Sequence, residues 1–317
     1  MIAVQLSGGL GNQMFEYATA RALAVRRGVE LVLDSSWIAG RGGASSEEIR
    51  RYELGCYDLA ARLVHIDEVA RLPGTRAARL RRLLPGRRSF LQEIVEPPFG
   101  EPLPELVDAA DNAYLRGYWQ NPAYFADAEE LLRKDFTFRP PVAERGAQLA
   151  EELRTGTLPL VSLHVRRTGY VTDAGLRERL GALGVDYFRR AVDVIASRVG
   201  AVKLAVFTDD PDWCREHVRL DHETTIVGAA RAEQERWDSI MSAMSRCDHY
   251  VIANSSFSWW GAWLNPSPAK IVVAPRPWYR AADKPDDHRT PPEWIRVDRD
   301  SYQADQPPST TTFEPVT

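Results

Sequence analysis

Leu158-Pro159-Leu160-Val161-Ser162-Leu163-His164-Val165-Arg166-Arg167 is a short apolar run that ends in one histidine and two adjacent guanidiniums. A run of this length and polarity has the pattern of a buried strand. It delivers charge at its carboxyl end. Downstream the alternation is regular: helix at about 185–199, strand 202–208, helix 211–218, strand 223–227, helix 232–246, strand 249–253, helix 256–264 and strand 270–274. Strands alternating with helices of these lengths predict a parallel, doubly wound α/β domain. In helix 232–246, Trp237, Ile240, Met241 and Met244 stand at i, i+3, i+4 and i+7, a spacing that assigns all four to core packing.

Upstream, residues 2–6 predict a first strand. The glycine-rich Ser7-Gly8-Gly9-Leu10-Gly11 follows, then a helical pattern from Asn12 to about Arg27 and a strand at Val29–Leu33. This is one β-α-β unit, but its glycines depart from the GxGxxG spacing and do not by themselves establish a dinucleotide site. Patterning is weaker over residues 41–140. That region holds the basic stretch 76–88, with Arg76, Arg79, Arg81, Arg82, Arg87 and Arg88, and a proline-rich segment from Pro97 to Pro104. The basic stretch reads as a solvated helix face, or as a surface for an anionic membrane or a lipid-linked acceptor. Ser301–Thr317, rich in Pro, Ser and Thr, is expected to be disordered.

Size and composition narrow the class. At roughly 150 residues per domain, 317 residues suggest two domains, each able to bury a core. With 44% hydrophobic and 26% charged residues the chain is an ordinary globular protein, and its net charge of −4 disfavours nucleic acid as a partner. Cys56, Cys214 and Cys247 are odd in number and lack ligand spacing, which argues against a disulfide framework and against zinc. No apolar run approaches the ~18 residues of a membrane span, and Ile2–Leu6 is too short for a signal-peptide core. The expected location is the cytoplasm, with peripheral contact at the inner face of the membrane as a second reading through residues 76–88.

In an open parallel sheet the ligand lies outside the carboxyl ends of the strands, so the residues at those ends are the ones to weigh. One strand ends in His164, Arg166 and Arg167, another in Asp209 and Asp210, a third in Asn254, Ser255 and Ser256. A guanidinium is always protonated and presents a rigid fork matched to phosphate oxygens, so the arginine pair requires an anion, nearby carboxylates or open water. Asn254-Ser255-Ser256 opens the helix Phe257–Leu264. Capping residues and the unpaired N–H groups of a helix start make a seat for phosphate. With Phe257, Trp260, Gly261 and Leu264 on one face and Trp259 and Trp263 on another, the same helix also reads as a capped core helix buried nearly all round. Asp209-Asp210 can cap the helix that starts at Pro211. Its spacing is wrong for a metal-binding DxD pair. One of the two carboxylates could accept both the N1–H and the exocyclic amine of guanine, which would select GDP over ADP.

With those residues assembled, the chain resembles the bacterial α-1,2-fucosyltransferases in three boxes: His164-Val165-Arg166-Arg167, Phe207-Thr208-Asp209-Asp210, and Asn254 through Leu264. Gly8 through Phe15, Tyr52-Glu53-Leu54 and Gly117-Tyr118-Trp119-Gln120 are similar to family segments too. The resemblance implies a GT-B-like α/β architecture, two Rossmann-like domains facing across a cleft. Residues 1–140 would be the acceptor-side domain, 141–300 the GDP-sugar-binding domain and 301–317 the tail. It implies inverting transfer of L-fucose from GDP-β-L-fucose to the 2-OH of a galactoside in an oligosaccharide or glycolipid, with no cofactor and no metal. Arg166 and Arg167 would neutralise the departing diphosphate. Ser255 and Ser256 with their backbone N–H groups would hold the β-phosphate, Asn254 and Phe257 would be donor-binding neighbours, and His164 with Asp209 or Asp210 would read guanosine. Gly9, Gly11, Asn12 and Gln13 would close over donor or acceptor.

One departure from the family pattern concerns the acidic residue after the arginine pair, since this chain has Thr168-Gly169-Tyr170 there. Asp173 is the nearest replacement and the expected catalytic residue that orients or deprotonates the acceptor hydroxyl. Rival readings are an α-1,6 linkage, another GDP-sugar, a non-catalytic GDP-sugar-binding protein, and nucleic-acid binding through residues 76–88.

Overall fold

The computed structural model describes residues 1–40, 51–64, 92–97, 103–106, 108–280 and 287–299. The basic stretch 76–88 and the tail 301–317 lie outside the described residues. Two compact units divide the chain, Met1–Arg139 and Pro140–Thr317.

The first unit holds strands β1 (Ile2–Gln5), β2 (Leu31–Asp34), β3 (Arg62–Val64), β4 (Gln92–Val95) and β5 (Ala113–Arg116). They form one parallel sheet in the order β3-β2-β1-β5-β4. Helix α1 (Leu10–Arg27) follows β1, and the short α2 (Ser36–Gly40) and α3 (Glu129–Asp135) come later. Gly28 ends α1 at φ 62°, the left-handed region that suits glycine. Val29, expected to begin the second strand, instead completes that cap. Its N–H donates to the carbonyl of Ala24 at 3.0 Å while the Gly28 N–H donates to Val25 at 3.1 Å, and the strand starts at Leu31.

The second unit carries β6 (Leu160–Val165), β7 (Lys203–Thr208), β8 (Glu223–Val227), β9 (His249–Val251), β10 (Val272–Arg276) and β11 (Ile295–Asp298), all parallel, in the order β11-β10-β9-β6-β7-β8. Its helices are α4 (Pro140–Leu153), α5 (Thr168–Thr172), α6 (Ala174–Arg179), α7 (Val185–Val199), α8 (Pro211–His217), α9 (Ala229–Met244) and α10 (Ser256–Leu264). Every residue of β6 and β7 is buried, as expected of central strands covered on both faces. α7 turns Tyr187, Phe188, Ala191, Val192 and Ile195 onto that sheet.

Helix α9 corrects one expectation. Ile240, Met241 and Met244 are core residues, but Trp237 is 40% exposed. Arg236 interrupts the helix with φ 59° and ψ 146°. The 3.6-residue spacing therefore does not carry across it, and Trp237 leaves the stripe that its sequence position suggests. All three cysteines are buried free thiols. Among the described residues no helix is long and apolar enough to cross a membrane.

Candidate functional site

Strand order in the second unit creates the site. From β6 the chain moves outward to β7 and β8, then returns to place β9 on the other side of β6 and continues to β10 and β11. The reversal opens a crevice at the carboxyl ends of β6 and β9, the position where open α/β sheets bind ligands. Arg166 and Arg167 follow β6, and Asn254 and Ser255 follow β9. Two contacts pin these segments together. The ring of His164 lies 5.8 Å from that of Phe257, and the Tyr170 hydroxyl donates to the Asn254 carbonyl at 3.0 Å.

The two arginines have different surroundings. Arg166 Nη1 lies 2.9 Å from Asp209 Oδ2, and its side chain keeps 24% exposure. Arg167 is fully buried, with Nε 3.2 Å from Asp210 Oδ2 and the guanidinium 3.8 Å from the centre of the Trp213 ring. Desolvation pushes the Arg167 guanidinium down from its ordinary pKa, opposed by the Asp210 carboxylate. The expected pair facing a ligand together is thus one accessible guanidinium and one that forms part of the core.

The aspartates are engaged as well. Asp209 Oδ1 accepts the backbone N–H of Arg167 at 2.8 Å, and Oδ2 accepts that of Thr168 at 3.1 Å, which fixes the start of α5. Asp210 Oδ1 accepts the Trp213 N–H at 3.1 Å and caps α8, the capping role read from the sequence. A two-point contact to guanine would have to share oxygens already in use.

His164 is buried, and its Nδ1 has no hydrogen-bond partner. Burial lowers its pKa to about 4, with Asp209 opposing and Arg166 adding to the shift, so the imidazole is neutral near pH 7. Asn254 is a structural tie: Nδ2 donates to the carbonyls of Leu180, Gly181 and Trp278 at 3.1, 3.2 and 3.3 Å. Ser255 is the N-cap residue of α10 and makes no side-chain cap bond. The amino end of α10 carries the helix's partial positive charge, beside the half-buried Ser256 and Phe257. Behind them Ser258 to Trp263 are buried. A Cβ on Gly261 would lie 2.3 Å from Met244 Sδ, the close approach expected of that glycine. Asp173 is exposed and caps α6, accepting the Leu176 N–H at 2.8 Å.

The loop after β1 is built differently from the sequence expectation. Gln13 is fully buried. Its Nε2 donates to Gly8 and Arg51 carbonyls at 3.0 and 2.7 Å, and its Oε1 accepts the Glu53 N–H at 2.9 Å. Gln13 is therefore an internal clamp. Glu53 Oε2 accepts the Leu10 N–H at 2.7 Å, so a carboxylate already closes the amino end of α1 beside Gly9 and Gly11. The buried Glu16 accepts both the N–H and the hydroxyl of Ser7, and burial pushes its carboxyl well above the ordinary range. Asn12 stays half-buried, with Oδ1 accepting from Gln120 at 2.8 Å. Glu16 and Glu53 were not legible as part of this loop, because Glu53 arrives from 43 residues away.

Two Rossmann-like parallel-sheet units, with an arginine and a helix amino end at the crevice of the second, define the GT-B class of glycosyltransferase. Within that class the chain belongs to glycosyl transferase family 11, whose sequence pattern matches residues 106–298. It is similar to an Escherichia coli O-antigen biosynthesis glycosyltransferase, WbnK, with 29% identity over 307 residues that cover 92% of this chain and 99% of the relative. An Escherichia coli alpha-1,2-colitosyltransferase is 27% identical over 309 residues, covering 94% and 99%. The galactoside alpha-(1,2)-fucosyltransferase 1 of Lagothrix lagotricha is 26% identical over 156 residues, covering 47% of this chain and 42% of that one. In fold the chain resembles the Se-Met fucosyltransferase NodZ from Bradyrhizobium, with a TM-score of 0.50 and 17% identity over 84% of this chain and 92% of the other.

Proposed function

We propose that the chain is an inverting transferase that moves L-fucose from GDP-β-L-fucose to the 2-OH of a galactoside and forms an α-1,2 linkage. The observation that carries the reading is the partly exposed Arg166, placed on the same crevice as the amino end of α10 by the His164–Phe257 contact. Negative charge grows on the diphosphate as its bond to the sugar stretches. Arg166 and the first N–H groups of α10, with Ser255 and Ser256, are oriented in advance to receive it. These groups let transfer proceed without a divalent cation. His164 and Asp209 or Asp210 read guanosine at the same edge, and Arg167 acts behind them by holding Asp210. Asp173 takes the acceptor proton with the part of its carboxylate that the α6 cap leaves open. In the first unit, Asn12 is the loop residue assigned to acceptor hydroxyls.

The deciding experiment is incubation of the protein with GDP-fucose and a panel of galactosides, scored for linkage and anomeric configuration. An α-1,2 product with inverted configuration supports the reading; an α-1,6 product, retention, or transfer only from another GDP-sugar overturns it. Similarity to the alpha-1,2-colitosyltransferase over 94% of this chain favours one second reading, in which the sugar is the 3-deoxy analogue colitose. GDP-colitose in the same assay separates the two.

A further inference from the structure

Helix α9 leaves the carboxyl end of β8 and crosses to the amino end of β9, so its first half lies over the same sheet edge as the crevice. Its interruption at Arg236 places a non-glycine residue at φ 59°, a conformation that side chains with a Cβ adopt only when their surroundings impose it. Asp238 supplies part of that constraint. It is buried, accepts the Ser239 N–H at 2.8 Å and pairs with Arg236 Nη2 at 3.2 Å. The break turns Trp237 away from the core residues Ile240, Met241 and Met244 and leaves it 40% exposed. Its ring meets Phe257 edge-on at 5.9 Å and 81°, and Phe257 lies 5.8 Å from His164. Three rings therefore run from the end of β6, across the first turn of α10, to the break in α9.

We propose that Trp237 is a further binding residue of the donor site, whose exposed indole stacks on the guanine base. The inference rests on the GDP-sugar reading above. His164 and the two aspartates offer a base only in-plane polar contacts, so its flat faces need another partner. Trp213 cannot serve, because Arg167 and His217 already stack on it at 3.8 and 4.9 Å. Phe257 lies between His164 and Trp237. Among the described residues of the second unit, Trp237 is the large aromatic side chain that remains exposed. A base held this way gains a face contact of a kind every purine can make, while the aspartate edge discriminates among purines.

Calorimetric titration of wild type, Trp237→Ala and Trp237→Phe with GDP, GMP, guanosine and GDP-fucose tests the proposal. Loss of a base–aromatic stack should weaken all four ligands by a common factor of about 5- to 150-fold in Trp237→Ala, and Trp237→Phe should recover most of it. Equal binding of GDP by wild type and Trp237→Ala overturns the proposal while leaving the donor reading intact. A loss confined to GDP-fucose places the ring on the sugar and overturns it as well. Failure of wild type to bind GDP instead overturns the donor reading, and this inference with it. If Trp237→Ala does not fold, quenching of tryptophan fluorescence by GDP in wild type that vanishes in Trp237→Phe supports stacking; unchanged quenching opposes it.

Discussion

Asp209 holds Arg166 by an ion pair of 2.9 Å and, with the same carboxylate, binds the backbone N–H groups of the two residues that follow it. The fork of Arg166 is thereby aimed while its side chain keeps 24% exposure. We expect Arg166→Ala to lower kcat/KM by roughly 30- to 3000-fold, since removing one partner of a desolvated charged hydrogen bond costs on the order of 2–5 kcal/mol. Arg166→Lys should not rescue it, because an ammonium lacks the fork. Steady-state kinetics with GDP-fucose and a reactive galactoside check both, and near-normal turnover in the lysine variant would remove the phosphate role.

Arg167→Ala should act on stability. Its guanidinium is buried against Trp213 and Asp210, so truncation strands a carboxylate in the interior and should cost about 3–5 kcal/mol. Urea unfolding of this variant beside Arg166→Ala provides the comparison. Equal midpoints would contradict the division of labour between the two arginines.

At Asp173, capping and proton transfer can be separated by substitution. Asparagine caps a helix about as well as aspartate but cannot accept a proton at neutral pH. Asp173→Asn should keep the melting temperature and lose activity, whereas Asp173→Ala should lose both. Full activity in Asp173→Asn would show that the cap at Leu176 is the residue's whole contribution.

The pH dependence of stability should carry a signature of His164. Its folded pKa of about 4 lies below the unfolded value of about 6.5, so the unfolded chain binds more protons between those limits. Stability is full above pH ~6.5 and falls as the pH drops toward 4, by about 3 kcal/mol from this residue. Burial shifts His249 in the same direction, so His164→Gln isolates the contribution. The variant's urea midpoint should vary less over this window than that of wild type; an unchanged slope would place the neutral imidazole elsewhere.

Chelation tests the charge-balancing scheme directly. With Arg166 and the amino end of α10 assigned to the leaving diphosphate, excess EDTA should leave initial rates unchanged. Activity that disappears with EDTA and returns with Mg2+ would require a different partner for the phosphates.

Much of the second unit was legible in its sequence. The helices Val185–Val199 and Ser256–Leu264 and the strand Glu223–Val227 fall where periodicity and capping residues place them. The first unit was less so. Arg62–Val64, Gln92–Val95 and Ala113–Arg116 are three- or four-residue strands that contain charged residues, and β5 pairs with β1 from 111 positions away, as in Ile2 opposite Ala113. Length and alternation cannot identify such strands. At the site, the separation of Arg166 from Arg167 was not legible, because both lie beyond the last strand residue Val165 and Arg167 already turns into α5 at φ −131° and ψ −51°. Trp237 was misplaced because periodicity assumes an unbroken helix, and no residue type around Arg236 announces the break.

The loop after β1 in the first unit and the loop after β9 in the second each lead into a helix whose amino end could attract an anion. In the first, Glu53 sits on that helix start and repels what the dipole would draw in. A diphosphate drawn by helix dipoles is therefore turned away from α1, which leaves the amino end of α10 as the berth that the proposed function assigns to the donor.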